Sequence, residues 1–380
     1  LIYSQYNPAE WGSITSLLTP TGIQVADGGT VYASTSGGLL EFTPDTEEFN
    51  FIKMEQGLEY LDLASIAIDS QGRLWLGGAR PLGCLQVYDP ALGLKYYEEW
   101  LDSFGNIRVA SINKIQIGED IAFAVYEGVT SSEMGILEFR LDSNGLPVYQ
   151  DSYTNFPGGA ITEIRDLDIF QDSLYVTTDQ GIFSGNYNDI LDFSSSWRKI
   201  NDDDIEDNSA RQFLPGDSPL IFGDGSIFQR QGDDWIDYCI GFTGNAILAE
   251  RKDEQIGILT KDQYHEIIGC EIESILIPVG DHQDNAWNAW GYDHRTFFTS
   301  FDYSEDGNVF IGIKDNGILH LHEDQEYQVY TPNTPIINSF QAITITKYGH
   351  LAATSPWETL FYNGQDYKNY IPNIYYKYYG

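Results

Sequence analysis

In "SIAIDSQGRLWLGG" (65–78), apolar residues alternate with small or polar ones up to Ile68, break at Asp69 and Gly72, and resume at Leu74. A period of two interrupted by a turn former and a Gly predicts two strands joined by a tight hairpin. The same order recurs in "GIQVADGGTVYASTSGGLLEFTPDTEEFNFI" (22–52), "DLDIFQDSLYVTTDQGIFSGNYND" (166–189) and "FDYSEDGNVFIGIKDNGILHLHEDQEYQVY" (301–330), with weaker copies between and after them. Second strands fall at Val31, Leu74, Ala122, Leu174, Leu220, Ile256, Val309 and Leu351, a mean spacing of about 46 residues. That is the length of a four-stranded propeller blade. No segment sustains a 3.6-residue apolar period with caps, so little helix is expected.

One such sheet buries too little to stand alone, and radial packing hides both of its faces. The chain is therefore expected to be all-β: a single β-propeller over 1–380, with eight four-stranded antiparallel blades. Seven is the alternative, because the sixth repeat is poorly marked and the ends can be assigned either way. Within the repeat, Asp69 and Gly72 supply the hairpin and Trp75 fills the space between blades. A phosphate-cradling loop at Arg73 is thereby displaced by a structural turn. A meander sheet also sorts its connections: first-to-second and third-to-fourth turns lie on one face of the disc, the remaining connections on the other.

Composition sharpens this picture. The 380 residues include 26 Tyr and 37 Gly, suiting strands and turns, and no apolar run approaches a membrane span. The formal charge of −37 excludes the basic footprint that nucleic-acid binding needs and disfavours an anionic membrane surface. Such a charge serves solubility, especially in salty surroundings, or reflects dependence on a divalent cation. Cys84, Cys239 and Cys270 match no zinc or redox spacing. Cys239 and Cys270 pair if their strands are neighbours; otherwise all three are buried thiols. The chain starts at Leu1 without a basic or apolar leader, as expected of a processed export product or an excised fragment. It contains no Asn-x-Ser/Thr sequon.

The run I-x-I-D-S-x-G-x-L-W-L-G…L-x-V-Y-D-P of the second repeat resembles the two-component-regulator propeller repeat. The family's W-I-G-T-x-x-G-L is altered here to "LWLGGARPLGCL" and "VFIGIKDNGIL". Such repeats build periplasmic sensor ectodomains and the propellers of a type IX secretion surface component in Bacteroidetes-type bacteria. The resemblance implies a secreted, periplasmic or cell-surface propeller that binds ligands or partners without catalysis.

Candidate chemistry lies mainly in connections. "DHQDNAWNAWGYDHR" (281–295) gathers Asp284, Trp287, Trp290, Tyr292, Asp293 and His294 in a long connector. Aromatic faces with acidic acceptors suit sugar rings, while filling a gap beside a short blade is the structural alternative. Trp357 and Arg80 are expected on the same face. "NDDDIEDN" (201–208) offers Asp202, Asp204 and Glu206 as a weak Ca²⁺ site or a solvated acidic loop. "DYSEDGN" starts like a calcium loop with Asp302, Ser304 and Asp306, but it lacks the closing Glu and suits a hairpin better. His320 and His322 share one side of a strand without a nameable third metal ligand. No G-x-S-x-G elbow occurs, and a carboxylate pair is unspecific among 57 acidic residues. A glycan-active hydrolase or lyase is the remaining enzymatic alternative.

The terminal segments 1–15 and 372–380 carry Ile2, Tyr3, Tyr6, Tyr375, Tyr376, Tyr378 and Tyr379. They are expected to close the ring or to add to another chain's edge. The expected protein is a binding or assembly scaffold with a protein partner, itself included. A glycan ligand is the alternative, and Ca²⁺ is the only cofactor the acidic loops suggest.

Overall fold

The computed structural model describes residues 12–99, 108–130, 133–159, 161–200, 205, 209–223, 225–232, 234–240, 246–260, 263–275, 297–355 and 358–370. It is an all-β propeller of eight four-stranded antiparallel sheets, each made of consecutive strands. The helical residues described are two single turns, Met54–Gln56 and Ser194–Ser196. All eight second strands lie where the repeat placed them. In order, the first strands are Pro20–Val25, Leu63–Ile68, Val109–Ile117, Ile164–Phe170, Ala210–Leu214, Ala246–Lys252, Phe298–Tyr303 and Ala342–Ile345.

Local chemistry explains the hairpins. In the second sheet, Asp69 Oδ1 accepts from the backbone N–H of Gln71 and Arg73 at 2.9 and 3.0 Å, while Gly72 takes a φ of 75°. That left-handed conformation is why the fourth turn position is Gly. The "calcium-loop" stretch is the same hairpin in the seventh sheet: Ser304 N–H donates to Asn308 O at 2.9 Å. Its Asp302 faces away from the turn, accepting from Val25 N–H at 2.7 Å. Trp75 is fully buried between sheets two and three, against Val87, Ile112 and Phe139.

Seven sheets surround the axis. First strands one to seven line one central channel, and sheet seven packs directly on sheet one. Phe310 and Ile318 of the seventh share a buried cluster with Leu17, Val31 and Phe42. The ring thus closes as in the seven-bladed alternative, and the eighth repeat forms its sheet outside it. A bulge distinguishes the two classes. In each ring sheet the first strand has at least one residue skipped in the pairing: Thr21, Ala64, Ala110 and Asn113, Arg165, Arg211, Ile247 and Thr299. Bulges raise local twist, which suits a strand that must turn along a narrow axis. The eighth first strand pairs in regular register without one.

The eighth sheet is tied to the ring by residues 333–338. Thr334 Oγ1 accepts from Leu17 N–H at 3.2 Å, and Asn338 donates to Ser36 O at 3.2 Å. Its first strand is exposed along its whole length. Cys239 and Cys270 form a disulfide joining sheets five and six, while Cys84 is a buried free thiol. Of the alternatives for the cysteines, pairing is the one found.

Candidate functional site

The channel wall is made of first strands, whose alternation sends every second side chain toward the axis. Neighbouring blades are stapled to one another close to it. Thr21 Oγ1 donates to Leu63 O at 2.9 Å, and Ser65 Oγ to Ile112 O at 2.7 Å. Lys114 of sheet three forms an ion pair with Asp166 of sheet four. Arg165 donates to Ala210 O at 2.7 Å, and Gln212 Oε1 accepts from Ala249 N–H at 2.9 Å. Tyr264 and Tyr303 hydroxyls meet at 2.8 Å between sheets six and seven. Val25 N–H to Asp302 completes the circle. Each interface therefore contains a polar link in addition to its apolar packing.

These links concentrate charge in a cavity of about 510 Å³. Burial opposes the Lys114 charge, but Asp166, Asp168 and Glu250 outweigh it and hold the pKa above its ordinary value. Burial, reinforced by the neighbouring Asp166 charge, pushes Asp168 well above the carboxylate range. Burial lifts Glu250 to about 8 despite the pull of Lys114. Asp302 rises to about 6 through burial, held back by its backbone donors. The Lys114 ammonium thus serves three carboxyl groups, while Asp302 is under the influence of Lys252.

A pH effect follows. Glu250 keeps its proton in the fold up to about 8, whereas the unfolded chain loses it near 4.5. A raised acid costs stability as pH climbs through that window. Glu250→Gln is expected to be more stable than wild type at pH 8 and equal to it near pH 4. The gain is about 1–2 kcal/mol, because the side chain is partly exposed to channel water. Thermal unfolding of both proteins across this range measures it; a difference independent of pH contradicts the assignment.

The residues singled out from sequence fare unevenly. Asp284, Trp287, Trp290, Tyr292, Asp293, His294 and Trp357 lie outside the described residues, as do Asp202, Asp204 and Glu206. So do Ile2, Tyr3, Tyr6, Tyr375, Tyr376, Tyr378 and Tyr379. Arg80 is held by its neighbour blade: Nε and Nη2 donate to Glu127 Oε2 at 3.1 and 2.9 Å. His320 is buried and stacked on Phe310 at 4.3 Å; burial lowers its pKa to about 4, so it packs as a neutral ring. Among the described residues, no group of three His, Cys, Asp or Glu side chains is placed to hold a metal ion. Lys114, Asp166, Asp168 and Glu250 were not singled out. Their signal is visible as charges inside otherwise apolar strand segments, "NKIQI", "RDLDI" and "ILAERK".

No family model matches the chain, and no curated protein matches it by sequence. Among solved structures it is similar to PorZ, an essential bacterial surface component of the type-IX secretion system of Porphyromonas gingivalis. The TM-score is 0.69 at 15% identity, covering 95% of this chain and 46% of that one. The chain therefore spans less than half the length of that protein. A chain of the mitotic checkpoint complex aligns with TM-score 0.53 at 11% identity, covering 84% of this chain and 92% of that one. The extracellular domain of a hybrid two-component system, BT4673 from B. thetaiotaomicron, matches with TM-score 0.33 at 14% identity, covering 93% of this chain and 54% of that one. Both kinds of protein named by the sequence resemblance are among these matches, and for the first two the likeness is one of fold. No helix among the described residues is long and apolar enough to cross a membrane.

Proposed function

We propose that this protein is a non-catalytic assembly scaffold of the bacterial cell surface, joined to a second copy of itself through the eighth sheet. The observation that carries this is a propeller ring closed without that sheet, whose first strand is an edge with no partner strand on its outer side among the described residues. Ile343 and Ile345 on that strand are 65% and 72% exposed. Unpaired edge N–H and C=O groups template another strand, and natural proteins usually guard them with charge. Here the guard is thin: in residues 333–370, Lys347 and Lys368 balance Glu358 and Asp366 within a chain of net −37. Elsewhere copies repel one another; at this edge they do not. Two edges meeting about a twofold axis would form one continuous sheet. A disulfide between sheets five and six suits an oxidising compartment outside the cytosol. The likeness to a secretion-system surface component supports the same location.

The test is mass by light scattering after size exclusion, from about 0.05 to 0.5 M salt, over which the Debye length shortens several-fold. Wild type is expected to dimerise more as salt rises, because only the long-range repulsion is screened. Ile343→Lys with Ile345→Lys is expected to stay monomeric while retaining the circular-dichroism spectrum. A wild type that is monomeric at every salt, or a variant that dimerises equally, rejects assembly through this edge.

A further inference from the structure

The axial channel carries more polar capacity than its own residues use. Asp168 is 9% exposed and lines the cavity, and its Oδ2, like Oδ2 of Asp166, meets no donor among the described residues other than the neighbouring carboxyl of that pair. Thr299 Oγ1 and Ser300 Oγ, on the seventh sheet's segment of the same wall, are also buried without a hydrogen-bond partner among the described residues. Leaving such atoms unmatched is costly, so a site with several of them is shaped for something that donates. Acidic residues alone would not define a ligand, but a carboxylate oxygen on sheet four and two hydroxyls on sheet seven, all short of donors or acceptors on one channel wall, do restrict its chemistry.

We propose that the channel binds a primary-amine cation, an alkylammonium that enters along the ring axis and donates to Asp168 Oδ2. The protein already contains a precedent, since the Lys114 ammonium occupies Asp166 Oδ1 in the adjoining position. An ammonium presents three donors from one point, which matches acceptors spread over several blades. A divalent ion needs its oxygen ligands gathered about one centre, and no such group of three occurs among the described residues.

The charged groups around the site are few. Sheet three contributes Lys114, sheet four Asp166 and Asp168, sheet six Glu250, Arg251 and Lys252, and sheet seven Asp302. Sheets one, two and five give the cavity lining no ionisable side chain. Arg251 is turned to the rim, donating to Ser218 O at 2.7 Å and Asp253 O at 3.0 Å. Asp302 is held by Val25 and Tyr303 N–H. Burial, then the neighbouring Asp166 charge, pushes the Asp168 carboxyl above the carboxylate range, and burial lifts Glu250 to about 8, so a carboxyl of this wall holds its proton more tightly than one in water. An entering ammonium therefore displaces a proton: R–NH₃⁺ and a carboxylic acid become an ammonium–carboxylate pair with one H⁺ released to solvent. Binding should tighten as pH rises, by up to about tenfold per unit while one proton is released, and level off once the carboxyl is ionised in the free protein.

The experiment is isothermal titration calorimetry of the whole chain with spermidine and, separately, with Nα-acetyl-lysine methylamide. Titrations are run at several pH values and in two buffers of different ionisation enthalpy, which counts the protons released. Saturable binding by either probe, with proton release and tighter affinity at high pH, is expected. Response to spermidine alone identifies a free polyamine as the source of the amine; response to both probes admits a lysine side chain. Asp168→Asn should weaken binding at least about tenfold, as loss of a buried charged partner does. If that variant does not fold, Thr299→Val, which removes only a hydroxyl, is the second probe and should weaken binding about threefold or more. Equal affinity in wild type and a folded variant means amines are collecting on the acidic surface, and the proposal fails. It fails equally if Ca²⁺ displaces the amine stoichiometrically, or if no saturable binding occurs at any pH.

Discussion

Asp69→Ala is expected to lower the free energy of unfolding by about 3–5 kcal/mol, the cost of leaving a buried charge without its partner. Asp69 and Arg73 are each 7% exposed. One carboxylate accepts from two backbone N–H groups of its own turn, from Arg73 Nε at 2.7 Å and from Trp75 Nε1 at 3.0 Å. With its charge balanced, Arg73 donates to Asn144 O and Gly145 O, both at 2.7 Å, on the next sheet. Removing Asp69 therefore loosens the turn, the inter-blade tryptophan and the contact between sheets together. Burial acts to raise the Asp69 pKa, but the Arg73, Trp75 and backbone donors more than offset it, and the net shift is downward from 3.8. A depressed carboxylate gives stability that is present above its unfolded value and is lost as pH falls through its folded value. Urea unfolding at neutral pH should show the full gap between variant and wild type, which begins to narrow below the unfolded value of 3.8 and closes as pH falls through the lower folded value and the wild-type carboxyl takes up its proton. A gap of under about 1 kcal/mol at neutral pH would contradict a linked role for the turn.

Replacing Cys239 and Cys270 by Ser is expected to cost about 4 kcal/mol, from the chain-entropy relation for a loop of 31 residues. Cys239 lies on the last strand of sheet five and Cys270 in the third-to-fourth turn of sheet six. The bond thus fastens the rims of two blades that are otherwise linked by the side chains of Gln212 and Arg251. Reduction of the wild type should reproduce the loss. Cys84 does not confuse the comparison, since burial, then Glu99, push its thiol up to about 12, keeping it protonated and unreactive in the fold. Matching unfolding midpoints for oxidised, reduced and Ser-substituted protein would show that neighbouring blades hold without it.

Much of this architecture is legible because its causes are local. Asp-x-x-Gly closes a hairpin within five residues, and a period of two fixes which side chains a strand buries. Eight repeats in the chain therefore become eight sheets whatever surrounds them. Trp75, at the centre of the clearest repeat, packs between blades as its position required. The polar staples were harder to see: Lys114, Asp166 and Glu250 read individually as charges on strands, and nothing local marks them as neighbours.

What the sequence determined by itself is the unit: its strands, its turns and its inward faces, all set by interactions within about 46 residues. Which units join is decided between sheets. Closure depends on the angle each interface adds, and the wedge made by Phe310 and Ile318 against Leu17 and Phe42 completes the ring at the seventh sheet. The eighth has the same hairpins but an unbulged first strand, and it remains outside. That closure alone gathers Lys114, Asp166, Asp168, Glu250 and Asp302 about one axis, and it alone leaves Ile343 and Ile345 on an edge unpaired among the described residues. Both sites exist because burial and charge depend on what packs across a face, which no single repeat contains.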